Sequence, residues 1–92
     1  MRVEVRSFAM FRDAVGRKTV EREYDDGATV GDVLRDVERA YPELSGRLLT
    51  DDDLASAVTV LRNGRNVANL DGVETPLSDG DTVGISPPVT GG

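Results

Sequence analysis

The only group in this 92-residue chain whose type and setting suggest chemistry is the carboxylate at its end. The last residues run Ser86-Pro87-Pro88-Val89-Thr90-Gly91-Gly92. Two prolines fix φ near −65° and lack an N–H, so the segment leaves whatever precedes it stiff and extended. At roughly 3.1 Å per residue, a tail starting at Pro87 reaches on the order of 18 Å from the body. It closes on two residues without a Cβ, the narrowest end a polypeptide can present to a slot in another protein. A carboxylate is a poor electrophile until something activates it.

Other routes to chemistry are closed by composition. Cysteine and histidine are both absent, which removes thiolate nucleophiles, thiolate metal sites, the usual general base and the commonest metal ligand. Asp51-Asp52-Asp53 lacks the alternation, mid-loop glycine and distant glutamate of a calcium loop, and is expected to be a solvated acidic loop with no metal. Arg12 and Asp13 are expected on a solvated helix face or in a local ion pair. Lys18 is the only lysine among 11 basic residues, and so the only side-chain amine able to accept an acyl group from another copy.

Net charge is −6 and the pI is near 4.5, which offers no cationic footprint for nucleic acid. Abundant Asp with one Lys points to solubility in high salt. No apolar run suggests a membrane segment and no leader pattern opens the chain, so a cytoplasmic location is expected.

The elements that must hold the tail out follow from periodicity. Residues 2–8 alternate, with Val3 and Val5 inward and Arg2, Glu4, Arg6 and Phe8 outward. Residues 9–16 form a short helix, with Met10 or Phe11 joining Ala14 and Val15 in an apolar stripe and Gly16 as the stop. Residues 18–24 form a second strand, and Asp25-Asp26-Gly27 turns the chain. Thr29 caps a long helix, with Asp32 completing a capping box; Val30, Val33, Leu34, Val37 and Tyr41 line its core face, and Tyr41-Pro42 ends it. Residues 43–56 are expected to be irregular, pinned by Leu44, Leu48 and Leu49. Residues 57–62 form a third strand and Asn63-Gly64 a hairpin turn, with 65–70 pairing back as a short strand. After Pro76-Leu77 and the Asp79-Gly80 turn, residues 82–86 form the last strand with Val83 and Ile85 inward.

This order predicts one α+β domain over 1–86, a mixed sheet with the long helix on one face, followed by the tail 87–92. The other face, carrying Phe8, Thr59, Leu61 and Ser86, stays open, and an exposed apolar patch of this kind marks a partner surface.

The sequence Phe8-Ala9-Met10-Phe11-Arg12-Asp13-Ala14-Val15-Gly16 resembles the Phe-Ala-x-x-Arg-acid-x-x-Gly signature of the MoaD/ThiS-type sulfur carriers. Leu77-Ser78-Asp79-Gly80-Asp81-Thr82-Val83, with the Pro-Pro-Val-Thr-Gly-Gly end, is similar to that family's C-terminal signature, and Thr29-Val30 also fits. The resemblance spans the chain and extends to the small archaeal modifier proteins, whose acidic composition it shares. It implies a β-grasp, ubiquitin-like fold and no catalytic residues of its own. It further implies that a ubiquitin-activating-type enzyme, using ATP and Mg, adenylates the Gly92 carboxylate; sulfur transfer then yields a thiocarboxylate for molybdopterin synthesis or tRNA thiolation. By the same resemblance, Pro87, Pro88, Val89, Thr90 and Gly91 enter a partner active site such as the large subunit of molybdopterin synthase, and Phe8 lies on the partner face. The family often has an aromatic before Pro-Pro where this chain has Ser86, a departure that reduces apolar area there. The same acyl-adenylate can instead acylate protein lysines, making the chain a modifier. A β-grasp interaction module whose tail is never activated is the remaining reading.

Overall fold

The first strand sets the architecture. The computed structural model describes residues 1–88, and in it β1 (Arg2–Ser7) buries Val3, Val5 and Ser7 while Arg2, Glu4 and Arg6 point the other way. Strand β2 (Thr19–Glu23) lies antiparallel along one side of β1, with Val5 opposite Val20. Strand β7 (Thr82–Ser86) lies parallel along the other, with Val5 opposite Val83 and Ser7 opposite Ile85. Strand β5 (Thr59–Arg62) pairs antiparallel with β7, and β6 (Arg65–Asn66) pairs with β5, giving the order β2-β1-β7-β5-β6. The central pair is thus formed by the two ends of the described chain. A parallel pair needs a crossover, and here everything between β1 and β7 supplies it.

Helix α2 (Val30–Ala40) crosses one face of this sheet. Its capping box is present as the sequence predicts: the Asp32 N–H donates to Thr29 Oγ1 at 3.4 Å and the Thr29 N–H to Asp32 Oδ2 at 2.9 Å. Val30, Val33, Leu34 and Val37 are fully buried against Val3, Val5, Val60, Val83 and Ile85, one contiguous core. Helix α1 (Met10–Val15) adds Phe11, while Met10 stays exposed, which settles the stripe in favour of the phenylalanine. One side of Asp36 ties helix to sheet: it accepts from Arg22 Nε at 2.6 Å and from the Tyr24 hydroxyl at 2.8 Å.

Two segments differ from their sequence expectations. The region 43–56 contains a 3₁₀ turn at Pro42–Leu44 and a small hairpin, β3 (Leu49–Thr50) with β4 (Asp53–Leu54). Asp51 and Asp52 both take positive φ, 52° and 63°, so the acidic run is a tight hairpin turn, a conformation Asp tolerates better than most residues. Glu38 pins its approach by accepting the N–H groups of Leu48 and Leu49. Residues 65–70 do not run as a strand: pairing stops at Asn66, whose side chain accepts from the Ala68 N–H and starts a 3₁₀ turn over Val67–Asn69. That side-chain bond offers the backbone an alternative to the ladder.

Candidate functional site

Strand β7 delivers the chain to its tail, and its geometry defines the candidate site. Val83 and Ile85 are fully buried, so Gly84 and Ser86 face away from α2. On that outer face Leu61 lies opposite Gly84 and Thr59 opposite Ser86. From the other side, the Phe8 N–H donates to the Ile85 carbonyl at 3.0 Å, placing Phe8 beside Ser86. A Cβ built on Gly84 would lie 3.6 Å from Phe8 Cε2 and 3.7 Å from Leu61 Cβ. Phe8 and Leu61 therefore lean together over a glycine floor, and Phe8 remains 37% exposed rather than entering the core.

The turn after β1 is what puts Phe8 there. The Phe11 N–H donates to the Phe8 carbonyl at 3.1 Å, closing a turn in which Ala9 has φ 53° and ψ −129°. Those angles match the first central position of a type II′ turn, a site that glycine favours. The reversal sends Phe8 outward and Phe11 into the core.

The start of β7 is held as firmly as its end. Asp81 is buried and accepts from Arg62 Nε at 3.0 Å, Asn63 Nδ2 at 3.0 Å and the Ser78 N–H at 2.8 Å. Burial alone would push its carboxyl up. The bonds from Asn63, Ser78 and Arg62 together outweigh that and hold it below the usual carboxylate range. Asn63 in turn accepts the Thr82 N–H at 2.9 Å.

Away from the tail the outer face becomes charged. Arg6 Nε meets Glu4 Oε1 at 2.7 Å, and Arg2 lies between Glu21 and Glu23 at 3.7 and 3.6 Å. The apolar part is thus confined to the end of the sheet where the tail departs. Ser86 Oγ donates to the Pro87 carbonyl at 3.2 Å; Pro87 is half-buried and Pro88 exposed. Val89, Thr90, Gly91 and Gly92 lie outside the described residues.

The structure brings Phe8, Leu61, Thr59 and Ser86 to one patch but leaves Lys18 apart from it. Lys18 is exposed, and its carbonyl accepts the Ser7 N–H on the side of β1 away from β7. The residue missed by sequence reasoning is Gly84. A glycine inside a β-branched strand such as Thr82–Ser86 signals close approach by a neighbour. Among the described residues no group of three or more Asp or Glu side chains is placed to hold a metal ion, and no helix is long and apolar enough to cross a membrane.

The family model described as the ThiS family matches residues 5–92. The chain is 52% identical over 92 residues to small archaeal modifier protein 3 of Haloferax volcanii, covering 100% of both. It is 35% identical over 80 residues to the sulfur carrier protein CysO of Mycobacterium tuberculosis, covering 84% of this chain and 83% of that one. Among solved structures, the solution structure of the Haloferax volcanii HVO 2177 protein superposes with a TM-score of 0.91 at 52% identity, covering 100% of this chain and 87% of that one. With its full-length relatives and its β-grasp topology, the chain belongs to the ThiS family of small ubiquitin-like carrier and modifier proteins.

Proposed function

We propose that the body over 1–86 is a handle and the tail 87–92 the working part, with the Gly92 carboxylate as the group that reacts. The observation carrying this is the position of the apolar patch that the described residues form on the outer face, Phe8 and Leu61 over Gly84, beside the strand end from which the tail departs. A partner that grips the patch holds the tail's root, so a tail of fixed reach delivers its end to a fixed place. Thr59 and Ser86 border the grip, and Pro87 and Pro88 set the reach. Val89, Thr90 and Gly91 occupy the slot.

The chemistry is acyl activation by an E1-like enzyme. The carboxylate attacks the α-phosphorus of Mg-bound ATP and pyrophosphate leaves, giving an acyl-adenylate whose AMP is a good leaving group. Hydrosulfide displacing AMP leaves a thiocarboxylate (a persulfide donor leaves an acyl disulfide, which a thiol then cleaves to the thiocarboxylate with release of a disulfide). This is the carrier product, and its acceptor is then a molybdopterin precursor held by a synthase large subunit, or a tRNA base. A lysine amine displacing AMP leaves an isopeptide, the modifier product. The likeness to small archaeal modifier protein 3 favours keeping this second product, with Lys18 as the acceptor for any linkage between copies.

Intact mass after incubation with ATP, Mg and the host activating enzyme tests the reading. One oxygen-for-sulfur exchange at Gly92 identifies the carrier product, and recovery of the chain on lysines of other proteins identifies the modifier product. An unchanged mass with no conjugates leaves a β-grasp interaction module and overturns the proposal.

A further inference from the structure

A groove of about 330 Å³, lined in part by Met10 and Phe11 of α1, opens beside Pro88. Met10, Ala55, Ser56 and Ala57 supply much of its wall, and among the described residues Arg47 is the one charged lining residue. In a chain of net charge −6, a concavity whose described walls carry a cation and no carboxylate is a marked local reversal. The exposed guanidinium is oriented by two contacts: Nη2 lies 2.9 Å from Met10 Sδ and the guanidinium carbon 5.7 Å from the centre of the Phe11 ring. Among the described residues it forms no ion pair, a trait it shares with Arg12, Arg17, Arg39 and Arg65, while Arg2, Arg6, Arg22, Arg35 and Arg62 are paired.

We infer that this groove is a parking site for the chain's own tail, with the Gly92 carboxylate seated on Arg47. The inference rests on Gly92 carrying the terminal carboxylate, as in the preceding reading. The described chain ends on the groove's rim at Pro88, and four residues follow it. Extended, four residues span about 13 Å, enough to turn back along a groove that both Pro88 and Arg47 line. The chemistry matches in order: Val89 meets the alanine and methionine wall, Gly91 and Gly92 pass without side chains, and the terminal carboxylate meets the guanidinium in the paired geometry that Arg favours. Parked, the carboxylate is withheld from the enzyme that would activate it, and the groove competes for the tail with a partner bound at the Phe8 patch. Parking is a population, so a partner sees the tail diluted by the parked fraction.

Nitrogen-15 NMR of the full chain, with no activating enzyme present, tests this. Removing Gly91 and Gly92 is expected to shift the Arg47 Nε–H and the amides of Ser56 and Ala57. Arg47→Gln is expected to shift the Gly91 and Gly92 amides to the positions they take in an unstructured peptide of the same sequence, and Arg47→Lys to restore part of the difference. The shifts should be unchanged by tenfold dilution and should shrink between 0.1 M and 1 M salt, where the Debye length falls from about 10 to about 3 Å. Groove resonances that ignore the truncation overturn the inference, as do shifts that grow with protein concentration, which would place a second copy's tail in the groove. Neither outcome bears on the mass test for adenylation, so the two readings fail separately.

Discussion

Phe8 and Leu61, 53 positions apart in sequence, close over the same glycine, each within van der Waals reach of the point where a Gly84 side chain would begin. Neither belongs to the buried core, so their shared surface is available to a partner at little cost to the fold. If the proposed activating enzyme grips this patch, Phe8→Asp is expected to weaken binding to it tenfold or more, because a carboxylate would be desolvated in place of the ring. Its melting temperature should move by no more than a few degrees, as a surface substitution contributes about 0.5 kcal/mol either way. A melting point that collapses would place Phe8 among the structural residues instead.

Ala9 carries the strain of the turn that aims Phe8. At φ 53° and ψ −129° its Cβ is crowded in a way that glycine avoids, a cost of about 1–2 kcal/mol. Ala9→Gly is expected to recover about 1 kcal/mol of this after the added unfolded-chain entropy, and to raise the melting temperature by about 5 °C. Differential scanning calorimetry on the two proteins decides it, and a less stable Ala9→Gly would mean the strain is absent.

Ser7 presents the opposite defect, a fully buried hydroxyl with no hydrogen-bond partner among the described residues. The alternation that sends Val3 and Val5 inward carries Ser7 with them. A buried hydroxyl without a partner costs about 1–3 kcal/mol, so Ser7→Ala should stabilise the protein, by about 1 kcal/mol once the smaller packing loss is subtracted. A shift of the urea midpoint to higher concentration with an unchanged m-value is the expected result.

These positions show which levels of the structure were legible from residues alone. The strands around Val3–Val5 and Val83–Ile85 and the α2 cap were readable because each carries a clear period or a side-chain bond between near neighbours. The β3–β4 hairpin was not, since each strand has two residues and its Asp51-Asp52 turn lacks the glycine that usually announces positive φ. Asn66 misled in the other direction: its side chain ends the ladder locally, while the apolar Val67 beyond it suggested that the strand continued. The outer patch was half legible. Alternation put Phe8, Thr59 and Leu61 on one face, but only the β1–β7–β5 order makes Gly84 their common floor. Arg47 and Met10 come together from distant parts of the chain, and no spacing rule connects them.

Stability should fall at both extremes of pH, for different reasons. Asp32, Asp36 and Asp81 all have carboxyls held below the usual range. For Asp36 and Asp81 burial opposes this, and the bonds from Arg22 and Tyr24, or from Asn63, Ser78 and Arg62, overcome it; for Asp32 the Thr29 N–H is the main cause. A carboxyl depressed in the folded state contributes stability that is complete above its unfolded pKa of about 3.9, and that stability is lost as pH falls through the folded value. Tyr24 works in the other direction. Burial, and then its bond to the Asp36 carboxylate, push its hydroxyl far up, so its contribution is complete below about pH 10 and is lost as pH rises beyond that. Asp81→Asn should cost about 2 kcal/mol at neutral pH and flatten the acid limb. Tyr24→Phe should remove the alkaline fall. Urea melts between pH 2 and 11 separate the two limbs, and an alkaline fall that survives Tyr24→Phe would rule out the Tyr24–Asp36 pair as its source.

The tail's length and width are its most exacting features. If Gly92 is the reacting group and Gly91 passes through a slot, removing both should abolish adenylation and conjugation while leaving the melting temperature within about 2 °C, since the core is closed by residues up to Ile85. Gly91→Val should be nearly as damaging, because a β-branched side chain widens the end at the narrowest point. A single alanine appended after Gly92 moves the carboxylate by about 3.5 Å, several times the tolerance of a near-attack geometry, and should lower activation by at least a hundredfold. Partner binding in that extended chain should stay intact through Phe8 and Leu61, read by titration calorimetry against the activating enzyme without ATP. Full activation of the extended chain, with mass spectrometry showing the added alanine still in place, would show that the end is not held by a slot of fixed depth.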